Sequence, residues 1–159
     1  MARCMADKPN PEDVALWQKR LASHANNRAW TLAEALHRAP EEDEEMLQAA
    51  YAAAYFWRIV GGPGNRARAA LLLAHVHALL ALPTPATRYL RQSMPYFMEN
   101  DCAIWEQAVA HAVAANVAFA EGNAEAHAEH YAQAMALTSQ AGPEEREMLK
   151  TTLRVVPSP

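Results

Sequence analysis

Apolar side chains recur at spacings of three and four residues along most of the chain, and Pro, Gly or Asn interrupts the pattern at intervals. The pattern is clearest in residues 65–98. On the first helix of that stretch, one wide apolar face is formed by Leu71, Leu72, Ala74, His75, Ala78, Leu79 and Leu82. Because residues 69–82 contain no charge and no Gly or Pro, this helix must be covered on several sides. Pro83 and Pro85 end it and open a second helix, which predicts an antiparallel helical hairpin.

A second hairpin follows at an offset of 41 residues. The residues that align at this offset are Ala74, Val76, Leu90, Gln92, Ser93 and Met94 with Ala115, Val117, Tyr131, Gln133, Ala134 and Met135. Self-similarity at a fixed period of this order is typical of helical repeat arrays, in which each hairpin stacks on the next. An irregular helical bundle is the alternative.

The flanking segments predict more helices of the same kind. A helix opens at Pro11, and its apolar stripe includes Trp17 and Leu21; Asn26-Asn27 interrupts or bends it. Further helices are expected over 42–60 and 143–153, and Pro95 is expected to kink or end its helix. We therefore predict an all-α fold of six to seven helices, built from stacked antiparallel hairpins with a C-terminal capping helix. A single helical-repeat domain over 11–155 is expected between a flexible tail at 1–10 and a tail at 156–159.

Composition narrows the function classes. The net charge of −4 argues against general nucleic-acid binding. No apolar run is long enough to span a membrane. The two cysteines, Cys4 and Cys102, lie far apart and have no metal-ligand spacing, which favours a reducing cytoplasm over a disulfide framework. The first ten residues lack the apolar core of a signal peptide.

Charges are segregated along the chain. Residues 46–98 contain no Asp or Glu, and their arginines are Arg58, Arg66, Arg68, Arg88 and Arg91. Residues 92–145 contain no Lys or Arg, and their acids are Glu99, Asp101, Glu106, Glu121, Glu125, Glu129, Glu144 and Glu145. Three interpretations remain open: complementary pairing inside the molecule, a site for an anionic peptide or ligand, and self-association of basic and acidic patches.

No motif for catalysis or cofactor binding is visible. The Gly61–Gly64 loop lacks a phosphate-binding spacing and does not follow a strand, so a helix end and turn is the expected role. The acids at 41–45 are expected to form a solvated first helical turn. His127 and His130 are three apart and would need His111 or another ligand to hold a metal, so neither metal nor cofactor is predicted. The chain is not expected to be an enzyme.

Candidate binding residues come from the first helix of each hairpin, because these helices line the concave side of a repeat array. They are Arg66, Arg68, His75 and Asn116, with Tyr51 and Trp57 as aromatic anchors. The predicted function is a non-catalytic scaffold that binds a protein or peptide. Two interpretations of the charge segregation extend this prediction: one adds an acidic partner, and the other adds a homodimer. The alternative is a small-molecule or enzymatic pocket lined by Trp30, Tyr51, Tyr55, Trp57 and Trp105.

The second hairpin resembles the tetratricopeptide repeat family. The likeness rests on Gly122-Asn123, Tyr131, Ala134-Met135 and Leu137, and in the first hairpin on Ala86, Leu90 and Ser93-Met94. His127 stands where that family has Ala, Ala118 where it has Tyr, and the offset exceeds the usual period of about 34 residues. The resemblance implies a short right-handed superhelix.

A closer resemblance is to a family of small bacterial tetratricopeptide-like proteins of uncharacterised activity. It covers most of residues 20–155 and rests on Asn26-Asn27 with Trp30, Asp43 to Met46, Trp57 with Val60-Gly61, the hairpin after Asn65, and Pro143 to Arg146. It implies a bacterial, cytoplasmic helical repeat protein and supplies no activity.

Overall fold

The computed structural model describes residues 8–159, and these residues form seven helices and no strand. The helices are α1 (Pro11–Ala33), α2 (Pro40–Val60), α3 (Pro63–Leu79), α4 (Pro83–Glu99), α5 (Ile104–Glu121), α6 (Ala124–Gln140) and α7 (Pro143–Leu153). The all-α prediction is confirmed, and the expected tail at 1–10 falls outside the described residues as far as residue 7.

Proline defines most of the helix starts. It occupies the first turn of α1, α2, α3, α4 and α7, where its missing N–H would have no intrahelical partner and its fixed φ suits the helix. Within α4, Pro95 is accommodated without ending the helix, which continues to Glu99. The expected interruption at Asn26-Asn27 is also absent, because α1 runs unbroken from Pro11 to Ala33.

The helices pair in chain order and stack in series. α1 packs on α2, α3 on α4, and α5 on α6; α3 contacts α1 and α5, and α7 contacts α5 and α6. The odd-numbered helices therefore form one row, α1–α3–α5–α7, and the even-numbered helices lie against it. Alanine is frequent where helices contact one another, because a methyl group lets neighbouring helices approach closely. Ala74, Ala110 and Ala115 are fully buried examples.

The 41-residue offset recurs in the geometry. α4 and α6 have the same length and start 41 residues apart, as do the starts of α3 and α5. The ends of α3 and α5 also match: Ala81 (φ 56°) and Gly122 (φ 73°) are left-handed residues at the same offset. In both turns the N–H of the following residue donates to a carbonyl of the preceding helix at 2.9 Å. Leu82 N–H donates to His77 O, and Asn123 N–H donates to Ala118 O.

Both ends of the domain differ from expectation in packing. Trp17 and Leu21 are 59% and 46% exposed, because α1 is the first helix of the row and its outer side has no neighbour among residues 8–159. At the other end, Val156 is buried with Ala112 and Ala134. His127 Nε2 also lies 2.7 Å from Pro157 O, so Val156 and Pro157, expected as part of a tail, pack on α5 and α6, whereas Ser158 and Pro159 are exposed.

Candidate ligand-binding cleft

A half-open cleft of about 450 Å³ lies along the row of odd-numbered helices. We call it the tryptophan cleft, because three of the four tryptophans of the chain line it. Its lining residues are Asn26, Asn27, Trp30, Glu34, Trp57, Asn65, Arg68, Leu71, Phe97, Trp105, Glu106, Val109, Met148 and Thr152. The walls come from α1, α3, α5 and α7, and the last turns of α2 and α4 close one end.

Glycine permits the close turn that places Trp57 and Asn65 together. A Cβ on Gly61 would lie 2.5 Å from Trp57 O and 2.8 Å from Asn65 Cβ, so α2 and α3 could not meet this closely with a larger residue. Asn65 Oδ1 accepts the Gly62 N–H at 3.1 Å and fixes the first turn of α3. The Gly-rich loop therefore shapes the rim of the cleft.

A buried carboxylate and a half-exposed guanidinium meet at the cleft wall. Arg68 Nε and Nη2 both lie 2.6 Å from Glu106 Oε1, which joins α3 to α5. The Glu106 side chain is 10% exposed and the Arg68 side chain 46%. The pair presents one carboxylate oxygen and the remaining guanidinium edge to a ligand, so both hydrogen-bond donors and acceptors are available there.

A second carboxyl group ties α1 to α7 at the opposite wall. Glu34 Oε1 accepts from Thr152 Oγ1 at 3.0 Å, and Arg154 Nη2 donates to Glu34 O at 2.9 Å. Partial burial raises the pKa of the Glu34 carboxyl, and the Thr152 hydrogen bond and the Arg154 charge oppose the rise. These contacts hold the capping helix against the first helix and so enclose the cleft.

The six residues predicted to bind a partner fall in three places. Trp57 and Arg68 line the tryptophan cleft, whereas Tyr51 and Arg66 line a different groove. His75 and Asn116 are buried in the core between α3 and α5, 0% and 2% exposed, and present no side chain to solvent. They were expected on the concave surface, because the first helix of each hairpin lines it; these two positions instead face the neighbouring first helix.

His75 and Asn116 are equivalent positions of the two hairpins, 41 residues apart, and they bond to each other. Asn116 Nδ2 donates to His75 Nδ1 at 3.1 Å, and the His75 ring lies 5.5 Å from the Trp30 ring. His75 Nε2 is buried and has no hydrogen-bond partner in the part of the chain that the structure describes, residues 8–159. Burial, with a smaller contribution from Arg38, lowers the pKa of His75 to about 4.

The groove that contains Tyr51 and Arg66 lies between α2 and α4, with α3 as its floor, and has a volume of about 420 Å³. We call it the arginine–tyrosine groove, and its lining residues are Tyr51, Ala54, Tyr55, Arg58, Arg66, Ala69, Ala70, Leu73, Tyr89 and Gln92. At its base Tyr51 Oη donates to His77 Nε2 at 3.1 Å, because His77 Nδ1–H donates to Leu73 O at 2.7 Å.

The aromatic pocket proposed as the alternative is divided between these two sites. Trp30, Trp57 and Trp105 share the tryptophan cleft, but Tyr51 and Tyr55 belong to the arginine–tyrosine groove. Three of the five residues predicted to line one pocket therefore share a cleft, and the other two line a separate groove.

Of the three histidines considered as metal ligands, two lie together and the third points elsewhere. His111 Nδ1 and His130 Nδ1 lie 3.0 Å apart, but His127 turns to the C-terminal segment. Burial and the neighbouring His130 lower the pKa of His111. Within residues 8–159 no group of three or more His, Cys, Asp or Glu side chains could hold a metal ion.

Four polar residues line the cleft that the sequence did not predict to bind a ligand: Asn26, Asn27, Glu34 and Glu106. Glu106 lies 38 residues from Arg68, close to the 41-residue offset, and both lie within the first two turns of successive first helices. The opposite charges of Arg68 and Glu106 at nearly equivalent positions of the repeat were the sequence signal that could have predicted their contact.

None of the helices within residues 8–159 is long and apolar enough to cross a membrane. Comparison of the chain with protein-family models, with curated proteins and with solved structures gave no match.

Proposed function

We propose that this chain is a non-catalytic scaffold that binds a protein or peptide segment in the tryptophan cleft. The observation that carries the proposal is the convergence of three tryptophans from three helices on one half-open cleft. Tryptophan is the side chain most enriched among residues that dominate binding energy at protein interfaces. A row of three partly exposed indoles is more than helix packing alone requires.

The proposed architecture is a short tetratricopeptide-like right-handed superhelix. Three features support it: hairpins paired in chain order, serial contact of the first helices, and the repeated bounds and left-handed turns at an offset of 41 residues. In such an array the first helices line a continuous surface. The tryptophan cleft occupies that surface in this chain.

The polar groups of the cleft suit a peptide backbone. Asn26, Asn27 and Asn65 each bring a side-chain amide, which can donate to a carbonyl and accept from an N–H. Arg68 and Glu106 bring a donor edge and an acceptor oxygen on the facing wall. An extended segment leaves its N–H and C=O groups unpaired, so amides on both sides can satisfy them while an apolar side chain packs on the indoles.

A small-molecule ligand is the second candidate function. The cleft volume of about 450 Å³ lies in the range of small-molecule pockets, about 300–1,000 Å³, and its lining combines aromatic walls with a few polar groups. A compact ligand would stack between indoles and bond to the Arg68–Glu106 pair.

The proposal is tested by selecting ligands from a phage-displayed random-peptide library on the wild-type protein. Selected peptides are then synthesised and titrated against Trp57→Ala, Trp105→Ala and the control Trp17→Ala, which removes an exposed tryptophan outside the cleft. We expect the two cleft variants to weaken binding at least about tenfold and the control to leave it unchanged. Selection of no binding peptide, or equal affinity for all variants, contradicts the proposal.

Thermal-shift measurements with a library of small metabolites test the second candidate function, the binding of a small molecule. A compound that stabilises the wild type and Trp17→Ala, but neither cleft variant, favours the small-molecule function when no peptide is selected. Circular dichroism at 222 nm, a standard helix wavelength, checks that each variant keeps its helicity.

A further inference from the structure

Among residues 8–159, four arginines on α2, α3 and α4 have no carboxylate partner. Within residues 8–159, ion pairs form at Arg28, Arg38, Arg68 and Lys150. The remaining arginines of the basic segment, which make no such pair, are Arg58, Arg66, Arg88 and Arg91. Arg88 and Arg91 share a shallow pocket with Glu121, whereas no acid lines the arginine–tyrosine groove beside Arg58 and Arg66.

The groove also carries exposed aromatic surface. Tyr51 and Tyr55 are 42% and 54% exposed, and neighbouring Ile59 is 47% exposed. The Arg58 guanidinium lies 5.6 Å from the centre of the Tyr55 ring, so its charge is held over the groove wall. Protein interfaces are enriched in tyrosine and arginine. The positive charge of the arginines selects an acidic partner.

The same molecule carries a complementary surface on α6. Glu125 and Glu129 are exposed and four residues apart, so they lie on one helical face. Ala128 and Ala132 are exposed beside them, and Met135 is 48% exposed. No Lys or Arg occurs in residues 92–145. We define this surface, with its two acids, its small side chains and its methionine, as the α6 face.

We propose that two copies of this chain associate by placing the α6 face of one copy in the arginine–tyrosine groove of the other. Glu125 and Glu129 would pair with Arg58 and Arg66 of the second copy. The exposed alanines allow the helix to approach closely, and Met135 packs on the tyrosines. This is the helix-in-groove mode of recognition, with charge setting the partner and the register.

The placement of the two surfaces favours a closed dimer. α2, α4 and α6 each pack against the row of odd-numbered helices, and within the described residues their backbones do not approach one another; α2 and α4 meet through the rings of Tyr51 and Tyr89. The groove between α2 and α4 and the α6 face therefore belong to the same layer of helices. Two copies related by a twofold axis can make the contact twice, which doubles the interface and leaves no free end. The proposal is independent of the tryptophan cleft.

Sedimentation velocity over a concentration series measures the association directly. At low ionic strength we expect a monomer–dimer equilibrium, and at about 0.5 M salt, where screening acts within a few ångströms, a dissociation constant at least about tenfold higher. Arg58→Glu with Arg66→Glu should abolish the dimer, and so should Glu125→Arg with Glu129→Arg.

The decisive experiment mixes the two charge-reversed double variants. Each double variant alone should be monomeric, and the mixture should restore a dimer, because opposite charges face each other again at both contacts. The matched control is Lys19→Glu with Arg20→Glu, which makes the same change in net charge on exposed residues of α1 and should keep the wild-type dimer. Circular dichroism confirms that every variant is folded.

Three results would overturn the proposal. The first is a wild-type monomer at every concentration and salt. The second is a mixture of reversed variants that stays monomeric. The third is a dimer that survives both reversals but is lost in Trp17→Ser with Leu21→Ser, which would place the interface on the exposed apolar side of α1 instead.

Discussion

The buried His75–Asn116 pair makes stability depend on pH in a way that one variant can isolate. His75 is fully buried and accepts a hydrogen bond from Asn116 in its neutral form. Burial lowers its pKa to about 4, whereas an unfolded histidine titrates near 6.5. The neutral ring stabilises the folded state above pH 6.5, and this contribution is lost as the pH falls toward 4, because the unfolded chain binds the proton first.

The magnitude follows from these two pKa values. At pH 5 the unfolded histidine is almost fully protonated, while the folded one is about one-tenth protonated. The folded state therefore loses about 2 kcal/mol between pH 7 and pH 5 from this residue, and about 3 kcal/mol once both states are protonated. For a domain of this size that is a large share of the total stability.

The assay is urea unfolding followed by circular dichroism at pH 7 and pH 5. His75→Gln retains an acceptor for Asn116 but does not titrate, so its loss of stability between the two pH values should be smaller than that of the wild type by about 2 kcal/mol. His37→Gln, which removes an exposed histidine, is the control and should behave as the wild type. Equal losses in the wild type and His75→Gln would refute the reasoning.

Three further substitutions test particular contacts by urea unfolding. Ala81→Gly should raise the free energy of unfolding by about 0.5 kcal/mol, because it relieves a left-handed alanine; a decrease would contradict this reading of the turn. Gly122→Ala, at the equivalent turn, should lower it by about 1 kcal/mol, and an unchanged value would count against the strain. Arg68→Met should lower it by about 1–2 kcal/mol by leaving Glu106 unpaired, with allowance for the exposure of Arg68. Adding Glu106→Gln should recover most of that loss; if it does not, the pair is not the cause.

The sequence predicted the helices well because local rules decide them here. Pro at the first turn, Gly122 at a helix end and the spacing of three and four are properties of neighbouring residues. The helices continue through Asn26-Asn27 and Pro95, although the local sequence predicted an interruption or bend at the first and a kink or an end at the second. The packing of α1 on α2 and α3, and of α4 on α3 and α5, outweighs a local preference of about 1–3 kcal/mol.

The site was harder to predict because it depends on which face of each helix meets a neighbour. His75 and Arg68 both lie on α3, yet one is buried against α5 and the other is exposed in the cleft. Helix α3 is apolar over most of its circumference, so periodicity alone did not distinguish its two contact faces. The pairing of Arg68 with Glu106 also shows that an arginine of the basic segment pairs with an acid of the acidic segment inside the molecule, since this ion pair joins the two segments.

The indole region of a ¹H–¹⁵N NMR spectrum tests the central claim most directly. The chain has four tryptophans, of which Trp30, Trp57 and Trp105 line the cleft and Trp17 is exposed elsewhere. Titration with a peptide selected from the phage library should shift the three cleft indole signals and leave that of Trp17 in place. Shifts confined to Trp17, or none at the cleft indoles while the peptide binds, would contradict the tryptophan cleft as the binding site.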